Sequence, residues 1–165
     1  MDDLDRATAF DYVTYLRATP DRIWEALTDP ASTARYWGMT FVSDWRAGSP
    51  MVWQGMGLGE SDPEQVVLAA EPGRKLSYTW HTFTTEFAEA TGMPPELHAE
   101  LAAESRSKVT FDIEPAGPTL TRLVTVHDGF DEGSTVLSMI RDGWPALLSS
   151  LKTYLETGDP LPDPQ

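Results

Sequence analysis

Residues 134–160 read STVLSMIRDGWPALLSSLKTYLETGDP, and the spacing of their apolar side chains decides the fold. Val136, Ile140, Trp144, Leu147 or Leu148, Leu151 and Leu155 recur at steps of three and four, the period of one helix face. At ~1.5 Å per residue the stripe runs along about 30 Å of helix. Gly158 and Pro160 supply the stop signals expected at a helix C-terminus. Pro145 removes one internal hydrogen bond, which predicts a kink near residues 143–145. A long helix with one apolar face needs a partner surface, and the rest of the chain offers strands.

Residues 10–18, FDYVTYLRA, alternate so that Tyr12, Thr14, Leu16 and Ala18 share a face. Thr19 caps and Pro20 opens a short helix with Ile23, Trp24 and Leu27 on one side. Asp29 and Pro30 repeat the signal, so PASTARYW (30–37) is a second short helix. Helices this short are marginal alone. Trp24 and Trp37 are the rings that would hold them. Strands follow at MTFVSDW (39–45) and PMVWQGM (50–56), then a glycine-rich turn, GMGLGESDPE (55–64). Further strands are QVVLAAE (65–71) and KLSYTWHTF (75–83), with Leu76, Tyr78, Trp80 and Thr82 on one face. SKVTFDIEP (107–115) groups Val109, Phe111 and Ile113, and LTRLVTVHDGF (120–130) follows. Short turns between sequential strands predict an antiparallel meander.

Residues 84–105, TTEFAEATGMPPELHAELAAES, do not fit the meander. They separate two strands that a hairpin of a few residues could join. Two readings stand: a surface insertion, or a lid over whatever the sheet encloses.

The chain of 165 residues reads as one domain over 10–158, with a flexible tail at 1–9 and another at 159–165. Its net charge is −14, and nine arginines and three lysines are scattered singly. That balance argues against nucleic acid and anionic membranes as partners. There is no cysteine, which removes disulfides, thiolate chemistry and cysteine-based zinc sites. No apolar run is long enough to span a membrane and no signal peptide is evident, so a cytoplasmic protein is expected. No nucleophile elbow, phosphate loop, dinucleotide fingerprint or zinc helix appears. His81, His98 and His127 fall on separate predicted elements without ligand spacing. Neither a metal nor a cofactor is expected.

The order of elements, with ATPDRIWEALTDP (18–30), YWG (36–38), LSYTWHTF (76–83), KVTFDIEP (108–115), TRLVTVHDG (121–129) and GWPALLSSLKTYLETGDPL (143–161), resembles the AHSA-type branch of the START-like, or SRPBCC, superfamily. That branch is named for an activator of a heat-shock chaperone ATPase. The resemblance implies an α+β helix-grip fold, with a curved antiparallel sheet around the long helix and a cavity between them. It further implies a lipid-like, aromatic or polyketide-like ligand, with some relatives acting as cyclases or aromatases. The 84–105 insert is longer than the pattern allows.

Strand parity then nominates a site. His127 shares a face with Leu123 and Thr125, and is either a structural histidine satisfied by its neighbours or a ligand-orienting, proton-transferring group. Tyr78 and Thr125 are its companion hydroxyls, and Trp53, Trp80 and Phe111 supply apolar walls; Trp37, at a helix end before Gly38, either lines the cavity that the resemblance implies or packs in the core. No residue is assigned as catalytic. The expected function is binding of a small apolar molecule. The alternatives are a cyclase or dehydratase working through His127 and Tyr78, and an interaction module for a chaperone, with a second copy of the chain a further partner.

Overall fold

The computed structural model describes residues 3–55, 62–81 and 83–162. The centre of the expected glycine-rich turn and the place given to Thr82 lie outside them. Helices are α1 (Asp3–Thr8), α2 (Pro20–Thr28), α3 (Pro30–Tyr36), α4 (Thr85–Thr91), α5 (Pro95–Ala103) and α6 (Thr135–Thr157). Strands are β1 (Ala9–Leu16), β2 (Thr40–Val42), β3 (Val52–Gln54), β4 (Val67–Glu71), β5 (Lys75–Trp80), β6 (Ser107–Gly117) and β7 (Leu120–Asp128).

The expected meander divides in two. Among the described residues, one antiparallel sheet has the order β1-β7-β6-β5-β4, and β2 pairs with β3 apart from it. The segment before β3 joins the two, through a bridge between Pro50 and Val66 and the bond from Met51 N to the Gln65 carbonyl at 2.9 Å. Proline has no amide hydrogen, so a regular ladder cannot run through Pro50. The insert is looped out of an unbroken pairing, for Trp80 lies directly opposite Ser107 across β5 and β6.

Alternation sorts the faces as the sequence requires. On β7, Leu123, Thr125 and His127 are buried, while Val124, Val126 and Arg122 of the other face are partly exposed. Arg122 pairs there with Glu114 at 2.7 Å. Helix α6 crosses the inward face and runs continuously through Pro145, burying Val136, Leu137, Trp144, Leu148 and Leu151. Gly158, at φ 91, ends it in the left-handed conformation that favours glycine. The same helix bonds the C-terminal end of the β1 edge. Lys152 Nζ donates to the Tyr15 carbonyl at 2.7 Å, and Glu156 accepts from Arg17 N at 2.8 Å. The paired caps at Thr19 and Asp29 form as read, accepting from Arg22 N and Ser32 N. Residues 3–8, read as part of a loose tail, form α1 instead.

The insert is anchored most firmly at its C-terminal end. Leu101 of α5 is fully buried in a satellite cluster with Phe130, Val136 and Leu137. Glu104 accepts from Val136 N at 3.1 Å and from the Ser134 hydroxyl, placing a carboxylate at the positive end of α6. Ser105 holds Asp131 through its amide and hydroxyl, both at 2.9 Å. Helix α4 buries no residue. Amide exchange is therefore expected to be fast over 85–91 and slow over 97–103, because opening free energy follows buried contact. Equal protection of the two helices in exchange mass spectrometry would contradict this division.

Candidate functional site

A cavity of about 370 Å³ lies where α6, the end of β5 and the insert meet. Six of its lining residues come from α6: Val136, Met139, Ile140, Gly143, Trp144 and Leu147. Their steps of three, one, three, one and three trace one helical face. Trp37 and Met39 reach in from the α3–β2 connection, Trp53 from β3, Trp80 from β5, Phe83 from the link between β5 and the insert, and Phe87 from α4. No side chain in this lining, among the described residues, carries a formal charge.

Four tryptophans shape the interior. Trp37 and Trp80 lie nearly parallel, with centroids 6.0 Å apart and planes at 22°. Trp53 stands edge-on to Trp80 at 4.7 Å and 88°. Trp144 meets Trp37 at 5.6 Å and 67°. Offset and edge-to-face contacts are the arrangements that aromatic quadrupoles favour, so the walls support each other. Trp53 Nε1 is buried without a hydrogen-bond partner in this arrangement.

Of the residues expected to bind ligand, Trp37, Trp53 and Trp80 line this cavity. Tyr78, Phe111, Thr125 and His127 do not. All four share the inward face of the sheet, as parity predicts, but they are buried beneath the helix. The physical reason is Trp144. Its ring packs on Phe111 at 5.7 Å and on His127 at 6.0 Å, filling the sheet centre and displacing the open space towards the insert. Burial pushes the Tyr78 phenol pKa well above its ordinary value, so the group stays protonated. Thr125 Oγ1 is buried and has no partner.

His127 is satisfied on both sides. Trp144 Nε1 donates to His127 Nδ1 at 3.0 Å. An indole nitrogen can only donate, so Nδ1 must carry the lone pair and Nε2 the proton. His127 Nε2 then donates to Ser107 Oγ at 2.9 Å, and the Ser107 hydroxyl donates to the Trp80 carbonyl at 3.1 Å. Burial lowers the imidazole pKa to about 3, which keeps the ring neutral. With its lone pair occupied, this ring has no capacity left to take a substrate proton.

Several lining residues escaped the sequence reading. Met139 and Gly143 sit one helical turn apart on the face that already carried Val136, Ile140 and Trp144. A helical stripe that includes a glycine and a methionine was the available signal. Phe83, read as the end of the 75–83 strand, lies beyond β5, and Phe87 of the insert follows it at the same four-residue spacing. His98 Nε2 lies 2.9 Å from the Phe83 carbonyl. Among the described residues no helix is long and apolar enough to cross a membrane.

Comparison with known proteins places this arrangement. A protein from Mesorhizobium loti, MLL2253, is 25% identical with a TM-score of 0.67, over 91% of this chain and 99% of that one. CalU16 from Micromonospora echinospora is 22% identical with a TM-score of 0.65, over 93% of this chain and 77% of its own. The Aha1 dimer from Colwellia psychrerythraea is 20% identical with a TM-score of 0.64, over 91% and 97%. No curated protein sequence matches the chain. The model of the family "Activator of Hsp90 ATPase homolog 1-like protein" matches residues 17–156, most of the domain, and the chain belongs to that family.

Proposed function

We propose that this protein binds a small, uncharged, mostly apolar molecule in the cavity between α6, the sheet end and the insert. The observation that carries the reading is the lining itself: a space of about 370 Å³ walled by four tryptophans, two phenylalanines and aliphatic side chains. That volume falls in the ~300–1,000 Å³ range of small-molecule sites, where apolar walls supply affinity. The absence of charge in the described lining argues against an anionic headgroup or a fatty-acid carboxylate as the buried part. It argues equally against turnover, because no acid or base among the described residues reaches the space. Tyr78 and His127, the pair on which a cyclase reading would depend, lie under the packed helix.

Gly143 offers the cleanest test. It is helical, it lines the cavity, and a Cβ built there meets nothing within 4 Å. Gly143→Leu should therefore project into open space without a clash. Replacing glycine inside a helix also gains up to roughly 1 kcal/mol of intrinsic propensity. The uncharged fluorescent amine N-phenyl-1-naphthylamine (NPN) should bind the wild type with enhanced emission. Its affinity should fall at least tenfold in Gly143→Leu, with unfolding free energy held or raised. Equal NPN binding by both proteins would sink the cavity reading.

A further inference from the structure

The chain Trp144–His127–Ser107–Trp80 links four elements, α6, β7, β6 and β5, and runs from the Trp144 indole to the backbone carbonyl of Trp80, both residues of the cavity wall. It starts and finishes on residues that line the cavity, while its two middle members are buried away from it, His127 with no exposed surface and Ser107 3% exposed. Each donor in it has one acceptor. The indole N–H can only donate, the ring can accept at Nδ1 only while Nε2 is protonated, and the serine hydroxyl passes the polarity to a backbone carbonyl. Reversing any one bond leaves two donors or two acceptors facing each other, so the order is forced.

We propose that His127 is a positioning residue for the cavity, whose Nε2-protonated tautomer holds the Trp144 indole and, through Ser107, the Trp80 backbone at fixed places. This rests on the binding reading above and adds to it the device that sets the shape of the wall. Trp144 extends from a helix, and Trp80 from the last residue of β5 before the insert departs. The Trp144 ring is therefore not held by aromatic packing alone, since edge-to-face contacts tolerate rotation that a directed hydrogen bond does not, and the Trp80 ring is placed through its anchored backbone. Phe130 and Trp80 close on the imidazole at 4.6 and 5.0 Å and exclude water from it. A dry, directed bond is stronger than the same bond in water and orients its partners more tightly. A wall fixed in advance spares the ligand the entropy of ordering it.

The test uses two replacements of the histidine in the whole chain. His127→Leu removes both bonds at similar bulk. His127→Gln keeps an acceptor and a donor on one amide, and can face Trp144 with its oxygen and Ser107 with its nitrogen. NPN affinity should drop roughly tenfold in His127→Leu, the equivalent of ~1.4 kcal/mol, and return to within about threefold of the wild type in His127→Gln. Two-dimensional nitrogen–proton spectra supply a readout that bulk stability does not move. The Trp144 indole N–H signal should shift away from its hydrogen-bonded position in His127→Leu and return in His127→Gln. Should the leucine variant not fold, Ser107→Ala cuts the link to β5 alone, and a loss of NPN affinity of about threefold carries the proposal. Wild-type affinity in His127→Leu with an unmoved Trp144 signal overturns it. So does a glutamine variant as weak as the leucine one, or an unchanged Ser107→Ala where leucine does not fold. If NPN fails to bind the wild type, the binding reading falls, and the positioning role is judged on the Trp144 signal alone.

Discussion

Leu151→Ala is expected to lower the free energy of unfolding by about 2–5 kcal/mol, a large fraction of the ~5–15 kcal/mol that holds a domain folded. The residue is 1% exposed and belongs to the core cluster shared by α6 and the sheet, together with Leu16, Leu123 and Leu148. Removing its isobutyl group forfeits the transfer energy of the buried atoms. It also leaves a hole that α6 cannot close, because the helix is tied on both sides of the position. Lys152 and Glu156 bond the edge of β1, and Trp144 is bonded to His127. A site that cannot collapse sits at the costly end of the range. Urea melts of the two proteins measure the difference. A loss under about 1 kcal/mol would mean that a different face of α6 meets the sheet.

The same helix shows how far periodicity carries an argument from sequence. Its apolar stripe and the inward parity of Tyr78, Phe111, Thr125 and His127 follow from steps of three, four and two, which the backbone imposes on any sequence, and its end follows from the left-handed turn that Gly158 permits. Trp53 and Trp80 were legible as wall residues for the same reason, and Trp37 from its place at a helix end before Gly38. Parity, however, says which face a residue is on and not what covers that face. Trp144 occupies the middle of the sheet, so four inward residues became core and the open space moved to the insert. That outcome depends on the volume of one ring and the smallness of Gly143 beside it, neither of which a period reports. The split between the β2–β3 pair and the main sheet was hidden likewise. It turns on a single proline and on strands of three residues, too short to show alternation.

Acid should expose the cost of burying the imidazole. In the folded protein His127 titrates at about 3 against an ordinary value of 6.5, because burial disfavours its charged form. Above the ordinary value both folded and unfolded chains hold the ring neutral, and the group leaves stability unchanged. As the pH falls below it, the unfolded chain takes up a proton that the folded chain refuses. Unfolding is then favoured by ~1.4 kcal/mol for each pH unit until the folded value is reached. At pH 5 the penalty is about 2 kcal/mol. Carboxylates that accept hydrogen bonds, among them Asp131 from Ser105 and Glu156 from Lys152, also lose stabilisation in acid. Their effect is common to a variant that alters only the histidine. Comparing the wild type with His127→Gln by urea melts at pH 7 and pH 5 therefore isolates the imidazole. The stability difference between the two proteins should move by about 2 kcal/mol in favour of the glutamine variant on acidification. A difference that stays constant would require the folded protein to accept the proton as readily as the unfolded one. Nδ1 would then have to give up the Trp144 bond within the native state, and the directed chain from indole to carbonyl could not be the resting arrangement of the cavity wall.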